Sequence, residues 1–366
     1  MVAFSLVLIA SALLKSNRIG FGLRIAADAF IVPFLGYYVA RRFVTSEDHL
    51  RQLIRVIGCM GAYLIIIGFI ERLMNPGIWY RLKGPFGSTN VLYVIMAVVF
   101  FVVLLDSVRS VNVAGEKQVL GWGLRWFLLC LAPVIILLGF TRGDWLGFLM
   151  GIGAFLFLGR RLINPARRLG AIGLALILIS LVVMAAPALT PKEIVGGRIG
   201  SLDNFYGRLA TWGLAIQEGV THPLFGIGLN NLRGVLAGKS AQFATAQSYT
   251  TVHNSFLALF IEQGAVGLLA YLAVVGSIMR MGLTLHWTGP RSRDRWRGIV
   301  IVAIMIAYLV PALFGQTLHL IQLSHLYVYS VVGGIAGLHG VRQSVAHLHP
   351  SPTKGRMQRQ LIGDVR

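Results

Sequence analysis

The chain has 366 residues, of which 56% are hydrophobic and only 13% are charged. So large an apolar fraction excludes a water-soluble globular protein, in which about a quarter of the residues are charged. The formal net charge of +20 does not indicate nucleic-acid binding, because the basic residues are divided among short loops and form no continuous stripe. The composition therefore predicts an integral membrane protein.

Uninterrupted apolar runs of about 20 residues indicate membrane-spanning helices, because barrel strands would alternate over about ten residues. We predict an all-α fold, a polytopic bundle of about ten transmembrane helices with a large periplasmic loop that contains an interfacial helix. No convincing cleavage site follows Leu14, so we expect no signal peptide. The predicted spans cover residues 1–14, 19–40, 52–71, 89–106, 123–140, 142–159, 169–188, 253–279, 297–314 and 318–340.

The basic residues predict the orientation, because loops rich in Lys and Arg stay in the cytoplasm. Of the 33 Lys and Arg residues, 21 lie in loops or termini that alternate correctly with the ten spans. Both termini are then cytoplasmic, and the polar loop faces outward. The predicted regions are N-terminal helices at 1–188, a periplasmic loop at 189–252, C-terminal helices at 253–340 and a basic, lipid-facing tail at 341–366.

The first polar feature at the predicted outer face is a tight turn, Thr141-Arg142-Gly143-Asp144-Trp145-Leu146-Gly147. Arg142 stands where a helix begins, so its guanidinium and the free amide donors of that helix could converge on one anion. The structural alternative is an interfacial arginine that extends to lipid phosphates, with Asp144 stabilising the helix N-terminus.

Residues 203–218 predict a helix that lies in the outer interface, because their large apolar side chains recur at helical spacing. Trp212 would anchor this helix at the membrane surface. Arg208 flanks the apolar stripe and could face either the lipid or the bundle. The stripe consists of Phe205, Leu209, Trp212 and Ile216.

A proline and two glycines predict a shaped turn within His222-Pro223-Leu224-Phe225-Gly226-Ile227-Gly228-Leu229-Asn230-Asn231. The backbone of such a turn can approach a ligand closely. His222 fits the role of a turn residue better than that of a base.

The segment Val252-His253-Asn254-Ser255 opens the next predicted span, and Glu262-Gln263-Gly264 follows within it. A histidine at the outer end of a helix can exchange protons near neutral pH, although a hydrogen-bonded structural histidine is the alternative. Glu262 should have a partner, structural or functional, because a carboxylate so deep in a membrane is costly.

The order of these motifs resembles the O-antigen ligase and polymerase superfamily, which are bacterial polytopic glycosyltransferases that use lipid-linked sugar donors. The sequence T-R-G-x-x-L-G is followed by R-x-x-x-W with H-P-L-x-G-x-G, and then by H-N-x-x-L with E-x-G-x-x-G. Residues 84–90 also resemble the family's G-x-F-x-N-P-N segment, although Ser88 and Thr89 replace Asn and Pro. The resemblance extends from about residue 80 to residue 340.

The resemblance implies that Arg142, Arg208 and His253 are the catalytic residues. Fixed guanidiniums can bind the negative charge that develops on a departing diphosphate, and an imidazole can accept the proton of the attacking hydroxyl. The outer segments contain no D-x-D motif or comparable carboxylate cluster, so we expect no metal ion and no cofactor. The predicted substrate-binding residues are Arg142, Arg208, Asn254, His222, Glu262 and Trp212.

The predicted function is the transfer or polymerisation of glycan from an undecaprenyl-diphosphate-linked donor at the periplasmic face. Three acceptors remain open: a second lipid-linked glycan for a polymerase, lipid A–core for a ligase, and a protein hydroxyl for an O-oligosaccharyltransferase. The expected partners are these substrates, the membrane lipids and, for a polymerase, a chain-length regulator.

A polysaccharide transporter or flippase is the competing class. It predicts charged residues along a central pathway and broken helices in corresponding halves of the chain. The predicted spans contain few internal charges, chiefly Asp28 and Glu262, and no internal repeat is visible. A non-catalytic membrane scaffold would explain the hydropathy but not the ordered arginines and histidine.

Overall fold

A computed structural model describes residues 1–76, 80–112, 118–139, 141–163, 203–240, 252–315 and 322–348. These residues form helices and connecting segments and contain no strand, as the all-α prediction requires. The helices are α1 (Val2–Lys15), α2 (Ile19–Ala26), α3 (Val32–Phe43), α4 (Glu47–Met74), α5 (Thr89–Asn112), α6 (Trp122–Leu138), α7 (Arg142–Leu158), α8 (Asp203–Thr221), α9 (Leu232–Ser240), α10 (Ser255–Thr288), α11 (Ser292–Ala312) and α12 (Gln322–Leu348). A π-helical turn, Ala27–Ile31, joins α2 to α3.

Five helical segments among the described residues are long and apolar enough to cross a membrane: Ile19–Phe43, Glu47–Met74, Thr89–Val108, Ser255–Thr288 and Ser292–Ala312. Two shorter apolar helices are α1 and α6. The helical membrane bundle is thus confirmed, whereas the count of ten spans stays a prediction. The predicted span at 169–188 lies outside the described residues.

Helices α7 and α11 pack closely because glycines on α7 let the two backbones approach each other. A Cβ atom on Gly147 would lie 2.6 Å from Pro311 Cδ, and one on Gly151 would lie 3.0 Å from the carbonyl oxygen of Ala303. The two helices therefore run antiparallel. We call the end of the bundle that contains Lys15, Thr141 and Leu313 the upper end, and the end that contains Glu47 and Asp294 the lower end.

A buried ion network joins α4 to α11 at the lower end. Arg297, only 2% exposed, donates to both carboxylate oxygens of Glu47 at 2.6 and 2.7 Å and to Asp294 at 2.9 Å. Arg297 is the first residue of the predicted span at 297–314 and lies near the start of α11. Because its carboxylate partners lie on α4 and α11, this arginine stabilises the packing of the two helices.

Helix α10 breaks sharply at Gly264, where the backbone has φ 65° and ψ −171°. In a straight helix Phe256 and Tyr271 would be separated by about 22 Å along the axis. Their ring centroids are instead 6.3 Å apart, so the short arm (residues 255–263) folds back along the long arm (residues 265–288). The predicted span at 253–279 thus contains a break at Gly264, and the helix after the break extends to Thr288.

The short arm packs with α8 and α9 into a second, small hydrophobic core at the upper end. The bundle and this small core are separate clusters of buried side chains. Trp212 of α8 packs against the small core, whereas Leu209 and Ile216 stay exposed. Of the three stripe residues whose side chains the structure describes, only Trp212 packs against the small core. The buried members of the small core are Ala215, Leu232, Leu236, Val252, Ala258 and Ile261.

Candidate functional site

The turn at residues 223–228 fits into the break of α10 and pairs with its open backbone groups. The amides of Ala265 and Val266, at the start of the long arm, donate to the carbonyls of Pro223 and Leu224 at 2.8 and 3.2 Å. In the reverse direction, the amides of Ile227 and Gly228 donate to the carbonyls at 261 and 262 at 2.9 and 3.0 Å. A broken helix leaves such groups without partners, and within a membrane protein they must be satisfied. The turn supplies the missing partners.

Glycine is required where this turn and the helix break meet. Gly264 has φ 65° and Gly226 has φ 63°, a left-handed conformation that side chains oppose. A Cβ on Gly264 would collide with the backbone of Leu224, and one on Gly226 would collide with the backbone of Glu262. The glycines of H-P-L-x-G-x-G and E-x-G therefore serve the same contact from its two sides.

The carboxylate of Glu262 lies in the small core and is only 3% exposed. Its Oε1 atom accepts a hydrogen bond of 3.3 Å from the amide of Leu232, the first residue of α9. A carboxylate at a helix N-terminus binds free amide donors and stabilises the helix. Glu262 thus has the partner that its depth requires, and that partner is structural. Its role in substrate binding stays a prediction.

The N-terminal helix also holds this turn, which the sequence did not predict. Lys15 donates from Nζ to the carbonyl of Gly226 at 3.0 Å, and its own carbonyl accepts from Asn231 Nδ2 at 2.8 Å. The Asn231 side chain also accepts from the amide of Asn17 at 3.1 Å and donates to the carbonyl of Ile227 at 2.8 Å. Helix α1 is therefore connected to the motif region by side-chain hydrogen bonds.

His253 lies just before the short arm in a strained conformation, with φ 48°. The residues around it are fixed by three hydrogen bonds. Trp212 donates from its indole Nε1 to the carbonyl of Val252 at 2.6 Å, the Asn254 side chain accepts from the amide of Leu257 at 3.0 Å, and Ser255 Oγ donates to the carbonyl of Gly315 at 2.7 Å. Asn254 is thus the N-cap of α10.

Arg208 lies one helical turn before Trp212 and its charge acts on His253. Burial lowers the pKa of His253 below its ordinary value, and the positive charge of Arg208 lowers this pKa further. Arg208 and His253 are well separated in the sequence, and the structure brings them near each other. His253 is a neutral imidazole near pH 7, in the form that can accept a proton.

Arg142 is the exposed first residue of α7 at the same end of the bundle. It is connected to the His253 segment by packing: a Cβ on Gly143 would lie 3.2 Å from Phe314 Cβ, and the next residue, Gly315, accepts the hydrogen bond from Ser255. Among the described residues no hydrogen bond or ion pair joins Arg142 to Arg208 or His253. The three predicted catalytic residues share one end of the bundle, and the charge of Arg208 acts on His253.

His222 lies at the C-terminal end of α8, at the start of the turn. Its side chain is exposed, with Nδ1 2.9 Å from Thr221 Oγ1 and 3.8 Å from Glu218 Oε1. Its carbonyl accepts from the amide of Gly226 at 3.0 Å. The position agrees with the interpretation of His222 as a turn residue.

A second acidic residue that sequence analysis did not single out organises the segment at residues 80–84. Glu71, near the end of α4, accepts from the hydroxyl of Tyr80 at 2.8 Å and from the amides of Lys83 and Gly84 at 3.0 and 2.7 Å. Leu82 in turn donates from its amide to the carbonyl of Leu138, just before the Arg142 turn, at 3.5 Å. A lone Glu after a long apolar run was the only signal for this role.

No group of three or more His, Cys, Asp or Glu side chains within the described part of the chain is placed to hold a metal ion. Arg142 and Arg208 are exposed cations at the upper end, where they could meet an anionic substrate. This arrangement suits an anionic ligand that carries its own negative charge, such as a phosphate or diphosphate.

Comparison with known proteins agrees with the geometry. A comparison with curated proteins finds no match to this chain. The family model for O-antigen ligase matches residues 126–272, which begin in α6, include Arg142, Arg208 and His253, and end in the long arm of α10. Residues 126–272 are therefore similar to the O-antigen ligase family, and this match confirms the resemblance of the chain to the O-antigen ligase and polymerase superfamily.

Proposed function

We propose that the protein is a glycosyltransferase of the inner membrane that transfers or polymerises glycan from an undecaprenyl-diphosphate-linked donor at the periplasmic face. The observation that carries the proposal is the hydrogen bond from Trp212 to Val252, which places the part of α8 that contains Arg208 beside His253 within the segment that matches the O-antigen ligase family model. A cation beside a neutral imidazole provides an anion-binding group and a proton acceptor at one place. Transfer from a glycosyl diphosphate needs both.

In the proposed reaction, the acceptor hydroxyl oxygen attacks the anomeric carbon of the donor sugar. The bond between that carbon and the diphosphate oxygen breaks, and the diphosphate leaves with the electron pair. His253 takes the proton of the hydroxyl, and Arg208 and Arg142 stabilise the negative charge on the diphosphate. A single displacement of this kind inverts the anomeric centre.

The proposed reaction needs no metal ion, because the two guanidiniums neutralise the charge that a divalent cation would otherwise bind. Guanidinium groups also bind phosphate oxygens in a bidentate manner and so fix the orientation of the leaving group. The acceptor is one of three hydroxyl compounds: a second lipid-linked glycan, lipid A–core or a protein side chain. All three present the same nucleophile to His253.

The decisive experiment measures glycan product from detergent-solubilised protein at saturating lipid-linked donor. His253→Ala should lower turnover by roughly 10²-fold or more, the usual range for the loss of a general base. Donor binding should stay near the wild-type value, because the arginines bind the diphosphate. The variants are compared at equal amounts of folded protein, measured by gel filtration.

Two histidine variants serve as comparisons. His222→Ala should keep most of the wild-type turnover, because its ring contacts only Thr221 and Glu218 among the described residues. His49→Ala changes an exposed residue at the lower end and should leave turnover unchanged. An active His253→Ala protein together with an inactive His222→Ala protein would assign the base to the other histidine.

A further inference from the structure

We infer that Trp212 is a positioning residue for His253 and acts through the hydrogen bond from its indole N–H to the carbonyl of Val252. The inference rests on the proposed function for its effect on turnover. Its structural part, the control of the conformation of His253, can be measured without any reaction.

The first step of the argument is the strain at His253. A residue other than glycine with positive φ is uncommon and is less stable there than in the usual regions. His253 keeps φ 48° only because its surroundings hold it there. The peptide group that joins residues 252 and 253 is the one that must be fixed to maintain this rotation.

Trp212 fixes that peptide group directly. Its hydrogen bond to the carbonyl of Val252 is short, at 2.6 Å, and Val252 itself is fully buried in the small core. On the other side of His253, Asn254 caps the short arm and Ser255 is bonded to Gly315. The residues on both sides of His253 are therefore held by hydrogen bonds, and the bond that holds Val252 comes from Trp212.

The same side chain also sets the distance between His253 and Arg208. Arg208 and Trp212 are four residues apart on α8 and therefore lie on the same side of the helix. When the indole binds the carbonyl of Val252, it docks this side of α8 against the segment that carries His253. Trp212 thus aligns a proposed base with a proposed anion-binding group and needs no contact with the substrate.

A surface-anchoring role for Trp212 is the alternative, and it makes a different prediction. An anchor needs the size and polarity of the ring at the membrane interface and tolerates loss of one protein hydrogen bond. A positioning residue needs the N–H donor itself. Replacement of the indole by an isosteric ring without that donor separates the two roles.

The test replaces Trp212 by 3-benzothienylalanine, which keeps the shape of the ring and removes the N–H, and by Phe as a simpler variant. The titration of His253 is followed by NMR in protein labelled at the histidine Cε1 carbon, with the signal assigned by its absence in His253→Gln. We expect the midpoint to rise toward the ordinary histidine value in both variants, because the ring moves away from Arg208 and into water. We also expect kcat to fall by between about 10- and 100-fold, as for a misplaced catalytic group, with the KM for donor nearly unchanged.

Trp145 provides the matched control, because its indole Nε1 donates to the carbonyl of Ile136 at 3.3 Å at the same end of the bundle. The same isosteric replacement there should leave the titration of His253 unchanged. A wild-type titration and kcat in the Trp212 isostere would overturn the inference, whether or not Phe at 212 folds. If wild-type protein forms no product but the titration still shifts, the proposed function fails and the positioning role stands.

Discussion

At the scale of single residues, the shape of Arg208 should matter as much as its charge. A lysine keeps the positive charge but lacks the planar fork that binds two phosphate oxygens at once. Arg208→Lys should therefore lose most of the glycosyl transfer activity, measured with purified protein and lipid-linked donor in excess EDTA. The wild-type protein should remain active in the same buffer.

Two results would contradict this interpretation of the arginine. Full activity of Arg208→Lys would indicate that residue 208 merely anchors the helix at the membrane. Loss of wild-type activity in EDTA would show that a metal ion takes part in the reaction. Leu209→Ala, a change at an exposed neighbour on the same helix, is the control for general effects on α8.

The low pKa of His253 predicts the acid limb of the pH profile. The proposed base acts in its neutral form, and a lowered pKa keeps that form present at more acidic pH. Activity should therefore persist below pH 6.5 and fall only as the pH passes through the lowered pKa. Arg208→Gln removes the nearby charge, so the acid limb of its residual kcat should move to higher pH. An unchanged limb would mean that another group controls it.

At the scale of helices, Gly264 should be far more sensitive to substitution than other glycines of α10. In Gly264→Ala the new methyl group meets the backbone of Leu224 and the residue is held at φ 65°. We expect the free energy of unfolding to fall by at least about 1 kcal/mol. Thermal unfolding in detergent, together with the yield of folded protein, measures the effect.

The matched control for this prediction is Gly276→Ala in the long arm of the same helix. A Cβ there meets nothing within 4 Å, so alanine should be neutral or slightly stabilising. Equal melting temperatures for the two alanine variants would show that the break at Gly264 does not need glycine.

Hydropathy predicted the helical elements well but could not predict the direction of α10. The hydropathy of this apolar segment is the same whether the helix continues or folds back at Gly264. The fold-back depends on hydrogen bonds to Pro223 and Leu224, about forty residues away in the chain, which no local pattern reveals. Sequence analysis found both motifs from their glycines, but it could not show that backbone hydrogen bonds join the turn to the helix break.

The candidate site was predicted in part for the same reason. Arg208 and His253 were identified from the order of motifs, and their proximity required the small core of α8, α9 and the short arm. Trp212 was predicted to face the membrane interface, because an indole suits that position equally well. Lys15 was missed, because the first 80 residues match the superfamily only in hydropathy and a lone lysine at a helix end usually signals topology.

At the scale of the whole molecule, the proposed mechanism requires the upper end to face the periplasm. A reporter fused near Lys239, in α9, should be active only as a periplasmic enzyme, and one fused near Asp294, beside the lower ion network, only as a cytoplasmic enzyme. The expectation follows from the 21 basic residues predicted on the inner side against 12 elsewhere. The opposite pattern would place the arginines and His253 in the cytoplasm and remove the mechanism.

The pairing between the turn at 223–228 and the break at Gly264 also restricts how such proteins can exchange parts. Four backbone hydrogen bonds join the two segments, and Lys15 adds a contact from the first helix. A chimera whose junction falls between the turn and Gly264 would join a turn from one parent to a helix break from another, with mismatched glycines and open backbone groups. A chimera should therefore fold best when α8 through the long arm of α10 comes from one parent as a single block.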